Sequence, residues 1–218
     1  MATLSQKHNV LKFAAHYMLT PFDSFVRWPV ITTREDGRII KIEYFPSGMK
    51  EAPGIRFFSG ILLPAFVDVL EDNVNPVELA DKRVLNRHFA DGTIALGVKD
   101  PPSDLLCRDR LPLILPRKSD PDECDSHFQI PADASLTVLQ RTRGASKALE
   151  GASLANVLTR FSMDSARAIG LSNAGCLAPG FAPGLLLLQN TDLEKLRMTP
   201  AASVKWLVIP KPGILVSP

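Results

Sequence analysis

The stretch GILLPAFVD, Gly60 to Asp68, restricts more than any other how this chain can fold. Its apolar side chains demand burial, yet Gly60 and Pro64 interrupt it, and a proline cannot donate to the middle of a sheet ladder. A strand that bends or changes partner is therefore expected in preference to one straight strand. The run ends on Asp68, a carboxylate delivered to the end of a buried strand, where α/β proteins commonly present ligand-binding groups. No histidine follows, since the next four residues are Val69, Leu70, Glu71 and Asp72.

The rest of the chain places this run between two β-rich ends. LKFAAHYML and SFVRWPVITT are strand-like, and the Asp-Gly step of Arg34 to Arg38 predicts a hairpin between VITT and the alternating RIIKIEY. A polar loop, Pro46 to Gly54, leads into the apolar run. After Asn73 the signals become helical. Asn75 suits a cap, Pro76 a first turn and Glu78 a capping-box partner. Val77, Val84, Leu85 and His88 or Phe89 recur near helical spacing, and Gly92 closes the element. TIALGV, Thr93 to Val98, reads as a buried strand, so a helix followed by a strand supplies half of a βαβ unit. Lys99 to Asp133 is rich in proline and acid, which predicts loops or a linker. ASLTVLQ, Ala134 to Gln140, is read as one more strand. Ser153 caps a helix in which Leu154, Val157, Leu158 and Phe161 share a face, and a second short helix, Met163 to Ile169, stops at Gly170. The strands GLLLLQ and SVKWLVI then close the pattern.

Composition narrows the function classes. The chain has 218 residues, 45% hydrophobic and 22% charged, with a formal net charge of +2. Basic residues are scattered among acids, so no footprint for nucleic acid is visible. No apolar run approaches the roughly 20 residues of a membrane span, and the first nine residues carry no apolar segment of a secretory signal. A cytoplasmic address is the expectation. Three cysteines, Cys107, Cys124 and Cys176, have neither metal spacing nor an even count, so they read as reduced thiols.

Two stretches carry a resemblance. GILLPAFVD resembles the G-x-[IL]-[IL]-P-G-[FL]-[VI]-D motif of the amidohydrolase superfamily, with Ala65 in place of a glycine. Leu154 to Asp192 resembles that family's closing stretch through Ala166, Ala168, Gly170, Leu171, Gly175, Pro179 and Gly180, while Gly184 stands where the family carries aspartate. The resemblance implies an α+β chain. Residues 1–68 and 171–218 would form a discontinuous composite β-sandwich, and residues 69–170 a reduced remnant of a (β/α)8 barrel. In the family that barrel holds a divalent metal used to hydrolyse or deaminate cyclic C–N bonds.

The resemblance stops where the chemistry starts. Its histidine pair, H-x-H after the first barrel strand, falls on Leu70 and Asp72, and leucine cannot coordinate a metal. Asp68 matches the motif, but it neighbours the ligands without restoring them. A complete barrel needs roughly 250 residues, and each βαβ unit roughly 30. Only 80 residues, Val74 to Ser153, lie between the two matched regions. A metal site assembled from several strand ends is therefore not expected.

Asp68, Asp72 and Asp100 remain the candidates for an altered site holding one divalent cation such as zinc, with Glu71 beside them; Asp100 follows the TIALGV strand. The plainer expectation is no metal, no cofactor and no catalytic residue. His16 and His88 are read as sheet and core-edge residues, and Cys124 with His127 as a C-x-x-H spacing lacking further ligands. Ser153, Ser162 and Ser165 read as caps or turns. Arg141, Arg143, Arg160 and Arg167 read as surface charges, with the stretch from Arg141 to Lys147 a solvated loop. Barrel strands stripped of neighbours need cover, so a homodimer or a complex with a complete amidohydrolase homologue is expected through GILLPAFV, TIALGV or GLLLLQ. Small-molecule binding in a retained cavity is the further alternative.

Overall fold

The computed structural model describes residues 10–48, 53–70, 79–107, 109–118, 135–145 and 153–215. Strands β1 (Val10–Leu19), β2 (Phe25–Arg27), β3 (Pro29–Arg34), β4 (Ile39–Tyr44), β5 (Ile55–Pro64), β9 (Leu185–Gln189) and β10 (Ser203–Val208) form a seven-stranded mixed sheet. Its order is β10-β9-β5-β1-β3-β4, with β2 also paired to β1. The two ends of the chain meet at β5 and β9, which run antiparallel with Ile61 opposite Leu188 and Pro64 opposite Leu185. The Asp-Gly hairpin expected between β3 and β4 is present, with Gly37 at φ 89°.

Sheet position explains why LLLL is apolar without alternation. Leu186 and Leu188 pack into one apolar cluster, Leu185 and Leu187 into another, so both faces of β9 are buried. Gly60 is needed where β5 approaches β9: its φ is +144°, and a Cβ there would lie 2.3 Å from the Leu188 carbonyl oxygen. The sheet also curls. The Ile39 N–H donates to the Phe181 carbonyl at 2.8 Å, and the Gly180 N–H donates to the Ile39 carbonyl at 2.9 Å. Gly37 packs beside Val208, so the β4 and β10 sides approach one another around the cluster of Phe13, Ile31, Leu62 and Leu187.

The change of partner expected within GILLPAFVD occurs after Pro64. Strand β6 (Phe66–Val69) leaves the large sheet and joins β7 (Thr93–Val98) and β8 (Leu113–Pro116) in a parallel three-stranded sheet of order β6-β7-β8. Helix α1 (Lys82–Ala90) connects β6 to β7, completing a βαβ unit. Asp81 caps it by accepting from the Arg83 N–H at 2.8 Å; the cap signals at Asn75, Pro76 and Glu78 lie outside the described residues. Val67, Val69, Ala95, Leu113 and Leu115 face a cluster shared with the C-terminal helices, while Leu70, Leu96, Val98 and Ile114 face Leu79, Leu85 and Cys107. Both faces are thus covered, as a parallel sheet requires.

Three local expectations are corrected. The proline-rich segment after Lys99 contains β8, paired to β7 from Leu113 to Pro116. ASLTVLQ is not a strand: α2 spans Val138–Ala145. Its start is a reciprocal cap in which the Gln140 N–H donates to Thr137 Oγ1 and the Thr137 N–H to Gln140 Oε1. The two C-terminal helices form one interrupted element, in which α3 (Leu154–Thr159) passes through a π turn (Arg160–Asp164) into α4 (Ser165–Ile169). Ser153 caps its start and Gly170, at φ 74°, ends it as expected. Helix α5 (Pro212–Leu215) follows β10. The fold is α+β, with a mixed sheet and few helices. Among the described residues no helix is long and apolar enough to cross a membrane.

Candidate functional site

The carboxyl end of the three parallel strands is where site residues belong in such a sheet. Strand β6 brings Asp68 there, opposite Leu96 of β7, and the chain continues to Leu70, whose N–H donates to the Gly97 carbonyl at 2.9 Å. Asp68 and Leu70, two apart, share a face. That face is dry. Asp68 is 0% exposed, and Leu70 is 1% exposed among Leu79, Leu85, Leu96, Val98, Cys107 and Ile114.

The charge of Asp68 is met by Arg141 of α2. Arg141 Nη2 donates to Asp68 Oδ2 in a short contact, the two side chains being 2% and 0% exposed. The guanidinium carbon lies 5.1 Å from the centroid of the Phe161 ring, so an aromatic face covers the cation. Asp68 Oδ1 and Arg141 Nε and Nη1 have no hydrogen-bond partner among the described residues. This corrects the reading of Arg141 as a solvated surface charge. Sequence proximity gave no clue to the pair, because 73 positions separate its members.

The other candidates do not converge on Asp68. Asp100 is exposed, just past β7, at φ 44°. Glu71, Asp72, Cys124 and His127 lie outside the described residues. The residues that are described do not suit a divalent cation at this strand end. Leu70 has no donor atom, and the carboxylate of Asp68 already faces a fixed positive charge, which repels a second one. Among the described residues no group of three His, Cys, Asp or Glu is placed to hold a metal ion.

Residues suspected of chemistry elsewhere serve the fold. His88 is buried on α1. His16 Nδ1 accepts from the Gly60 N–H at 3.4 Å, with its ring 5.4 Å from Trp28 and 5.1 Å from Phe57. Ser162 donates to the Leu158 carbonyl and Ser165 to the Arg160 carbonyl, stitching the π turn. Arg143 donates to the Ala202 carbonyl, and Arg167 approaches Asp164 at 3.8 Å. Burial pushes the thiol of Cys176 above its ordinary pKa despite Arg167 nearby, so it is a poor nucleophile at neutral pH. A cavity beside it, lined by Leu19, Pro64, Thr159, Ser162 and Cys176, measures about 10 Å³. That is room for about one water, not for a cyclic amide.

No family model and no curated protein matches the chain. Solved structures similar to it include guanine deaminase from E. coli, at 11% identity and TM-score 0.47 over 84% of this chain and 89% of that one. N-acetyl-D-glucosamine-6-phosphate deacetylase from Mycobacterium smegmatis is similar at 16% identity and TM-score 0.32, over 65% of this chain and 30% of that one. A prolidase is similar at 13% identity and TM-score 0.34, over 50% and 32%. The chain thus spans about a third of the length of the deacetylase and of the prolidase. These are amidohydrolase-superfamily enzymes, and at such identities the likeness does not extend to this chain's chemistry.

Proposed function

We propose that this chain is a non-catalytic, amidohydrolase-like protein with a binding or structural role. In this reading the curled seven-stranded sheet is the composite layer, and β6, α1, β7 and β8 are what remains of a barrel. The observation that carries it is the fate of Asp68, the one acid matching the strand-end motif. Its charge is neutralised inside the protein by Arg141, and Leu70 fills the position where the motif has its first histidine. With Leu70 in the first ligand position and Asp68 paired to Arg141, these residues offer a neighbouring water neither a ligand set for a metal that would lower its pKa nor a free base to take its proton.

Elemental analysis tests this. Protein purified without added metal, and again after incubation with excess zinc followed by dialysis, is expected to carry well under one metal ion per chain. Stoichiometric zinc, iron or manganese surviving dialysis overturns the reading. Association with a second copy, or with a complete homologue, is the form of binding the reading favours. Of the three runs expected to mediate it, TIALGV (β7) and GLLLLQ (β9) have strand neighbours on both sides, whereas GILLPAFV passes from β5, flanked by β1 and β9, into β6, whose strand neighbour among the described residues is β7 alone.

A further inference from the structure

Among the described residues no strand lies beyond β4, which closes one side of the seven-stranded sheet. Two hydrogen bonds fix which of its backbone groups point outward. The Arg34 N–H donates to the Arg38 carbonyl, and the Phe45 N–H to the Trp28 carbonyl. Because backbone groups alternate along an antiparallel pair, Val30, Thr32 and Arg34 direct theirs toward β4, while Trp28, at φ 52°, gives its carbonyl to Phe45 and its N–H to the His16 carbonyl of β1. Their opposite numbers Lys41 and Glu43 point back at β3, with Lys41 opposite Thr32 and Glu43 opposite Val30. Ile42 and Tyr44 then direct their N–H and C=O groups away from the sheet. Ile39 accepts and donates to Gly180 and Phe181 and closes only the first residue of this edge.

The side chains along the edge are self-complementary. Ile40 is 43% and Tyr44 48% exposed, high for large apolar groups on a strand. Lys41 and Glu43 carry opposite charges, two residues apart on one face, and meet at 2.7 Å. Placing a second β4 antiparallel on the first, with the two-fold axis at Ile42, brings Ile42 opposite Ile42 in an outward-facing, hydrogen-bonded pair. Ile40 then faces Tyr44 of the second copy, and Lys41 faces Glu43 of the second copy, each twice by symmetry. A shift of one residue in register loses both charge pairings.

We infer that β4 is a homodimerisation edge, pairing antiparallel with β4 of a second copy about Ile42. The bulge between Thr32 and Thr33, which leaves Ile40 extra, twists the far end of the edge and limits the pairing to Ile40 through Tyr44. Lys41, a residue that otherwise discourages edge association, is here answered by Glu43 of the second copy. The inference names a partner for the binding role proposed above but stands on strand geometry alone.

Charge swaps at exposed positions test it by light scattering coupled to size-exclusion chromatography. The natural chain is expected to run at twice its monomer mass. Glu43→Lys places lysine opposite lysine, Lys41→Glu places glutamate opposite glutamate, and each variant alone is expected to be monomeric with an unchanged circular-dichroism spectrum. Mixing the two restores Lys–Glu pairing at both positions and is expected to give a heterodimer, as the double swap Lys41→Glu with Glu43→Lys is expected to give a homodimer. A natural chain that is monomeric overturns the inference. So does a dimer that both single swaps leave intact, or a mixture that stays monomeric. A zinc-bearing dimer sinks the loss of the metal and leaves this edge standing, whereas a metal-free monomer does the reverse.

Discussion

Replacing Arg141 by methionine isolates the interaction on which the site reading depends. Methionine fills much of the same volume and keeps contact with Phe161, so the change removes charge more than packing. It leaves Asp68, which is 0% exposed, without a counter-ion. Breaking a buried pair in this one-sided way costs about 3–5 kcal/mol, because the remaining charge must be accommodated dry or protonated. For a chain of this size such a loss lowers Tm by roughly 6–20 °C. Replacing both members, Asp68→Asn with Arg141→Met, removes the stranded charge and is expected to recover most of the loss, so the two substitutions are strongly non-additive. Urea denaturation of the four proteins gives the coupling directly. A single-variant loss below about 1 kcal/mol, or additive losses, refutes the buried pair and with it the account of how Asp68 is occupied.

Three further outcomes follow from the packing. Leu70→His installs the motif's missing imidazole, but into the apolar cluster of Leu79, Leu96 and Ile114, so it is expected to cost about 1–3 kcal/mol and to confer no zinc retention by elemental analysis. Gly60→Ala forces a side chain against the Leu188 carbonyl at positive φ and is expected to destabilise by more than ~2 kcal/mol in thermal melts, loosening the join between the two ends of the chain. Asp164 has its pKa raised by burial, with Arg167 pulling it the other way and Asp23 adding to the rise. The folded state therefore binds its proton more tightly than the unfolded state, and stability is lost as pH climbs from the ordinary carboxylate range through the raised value. Asp164→Asn removes that loss, so its advantage over the natural chain is expected in urea melts at neutral pH and is expected to vanish near pH 3.

The parts of the fold legible in the sequence are those set by local chemistry. Pro64 has no N–H to donate, so it makes the last rung of the β5–β9 ladder, opposite Leu185, and the chain changes sheets just after it. Asp36-Gly37 makes its hairpin, and Gly170 ends its helix in the left-handed conformation the position demands. The errors have equally local causes. ASLTVLQ has the β-branched and aliphatic composition of a strand, but Thr137 and Gln140 form a T-x-x-Q capping box, the one signal that identifies a helix start there. LPLILP reads as loop because of its flanking prolines, yet a parallel edge strand tolerates proline at its end, where Pro116 sits opposite Val98. The burial of Arg141 was not legible at all. Nothing near it in the chain is acidic, and its partner is chosen by tertiary packing.

Asp68, Arg141 and Leu70 together lead to the expectation that restoring one ligand will not restore a metal. In a metal-binding strand end the cation supplies the positive charge that allows carboxylates and imidazoles to gather in a dry place. Here that charge comes from a guanidinium fixed by α2, and the described residues around Leu70 are leucine, isoleucine and valine with the single thiol of Cys107. A divalent ion entering beside Asp68 has to displace Arg141, whose pairing and aromatic cover are lost with it, and among the described residues it gains a single carboxylate in return. Arg141 and a metal therefore compete for one acid, with the fold's stability on the side of arginine. Arg141→Ala, which opens space as well as removing charge, accordingly gives the metal its best opportunity. It is expected to unfold at lower temperature than the natural chain and to show less than about 1 °C of Tm rescue by millimolar zinc, since a lone carboxylate binds zinc too weakly to shift the folding equilibrium. Rescue of several degrees by zinc shows that ligands do surround Asp68, and that the arginine alone keeps the metal out.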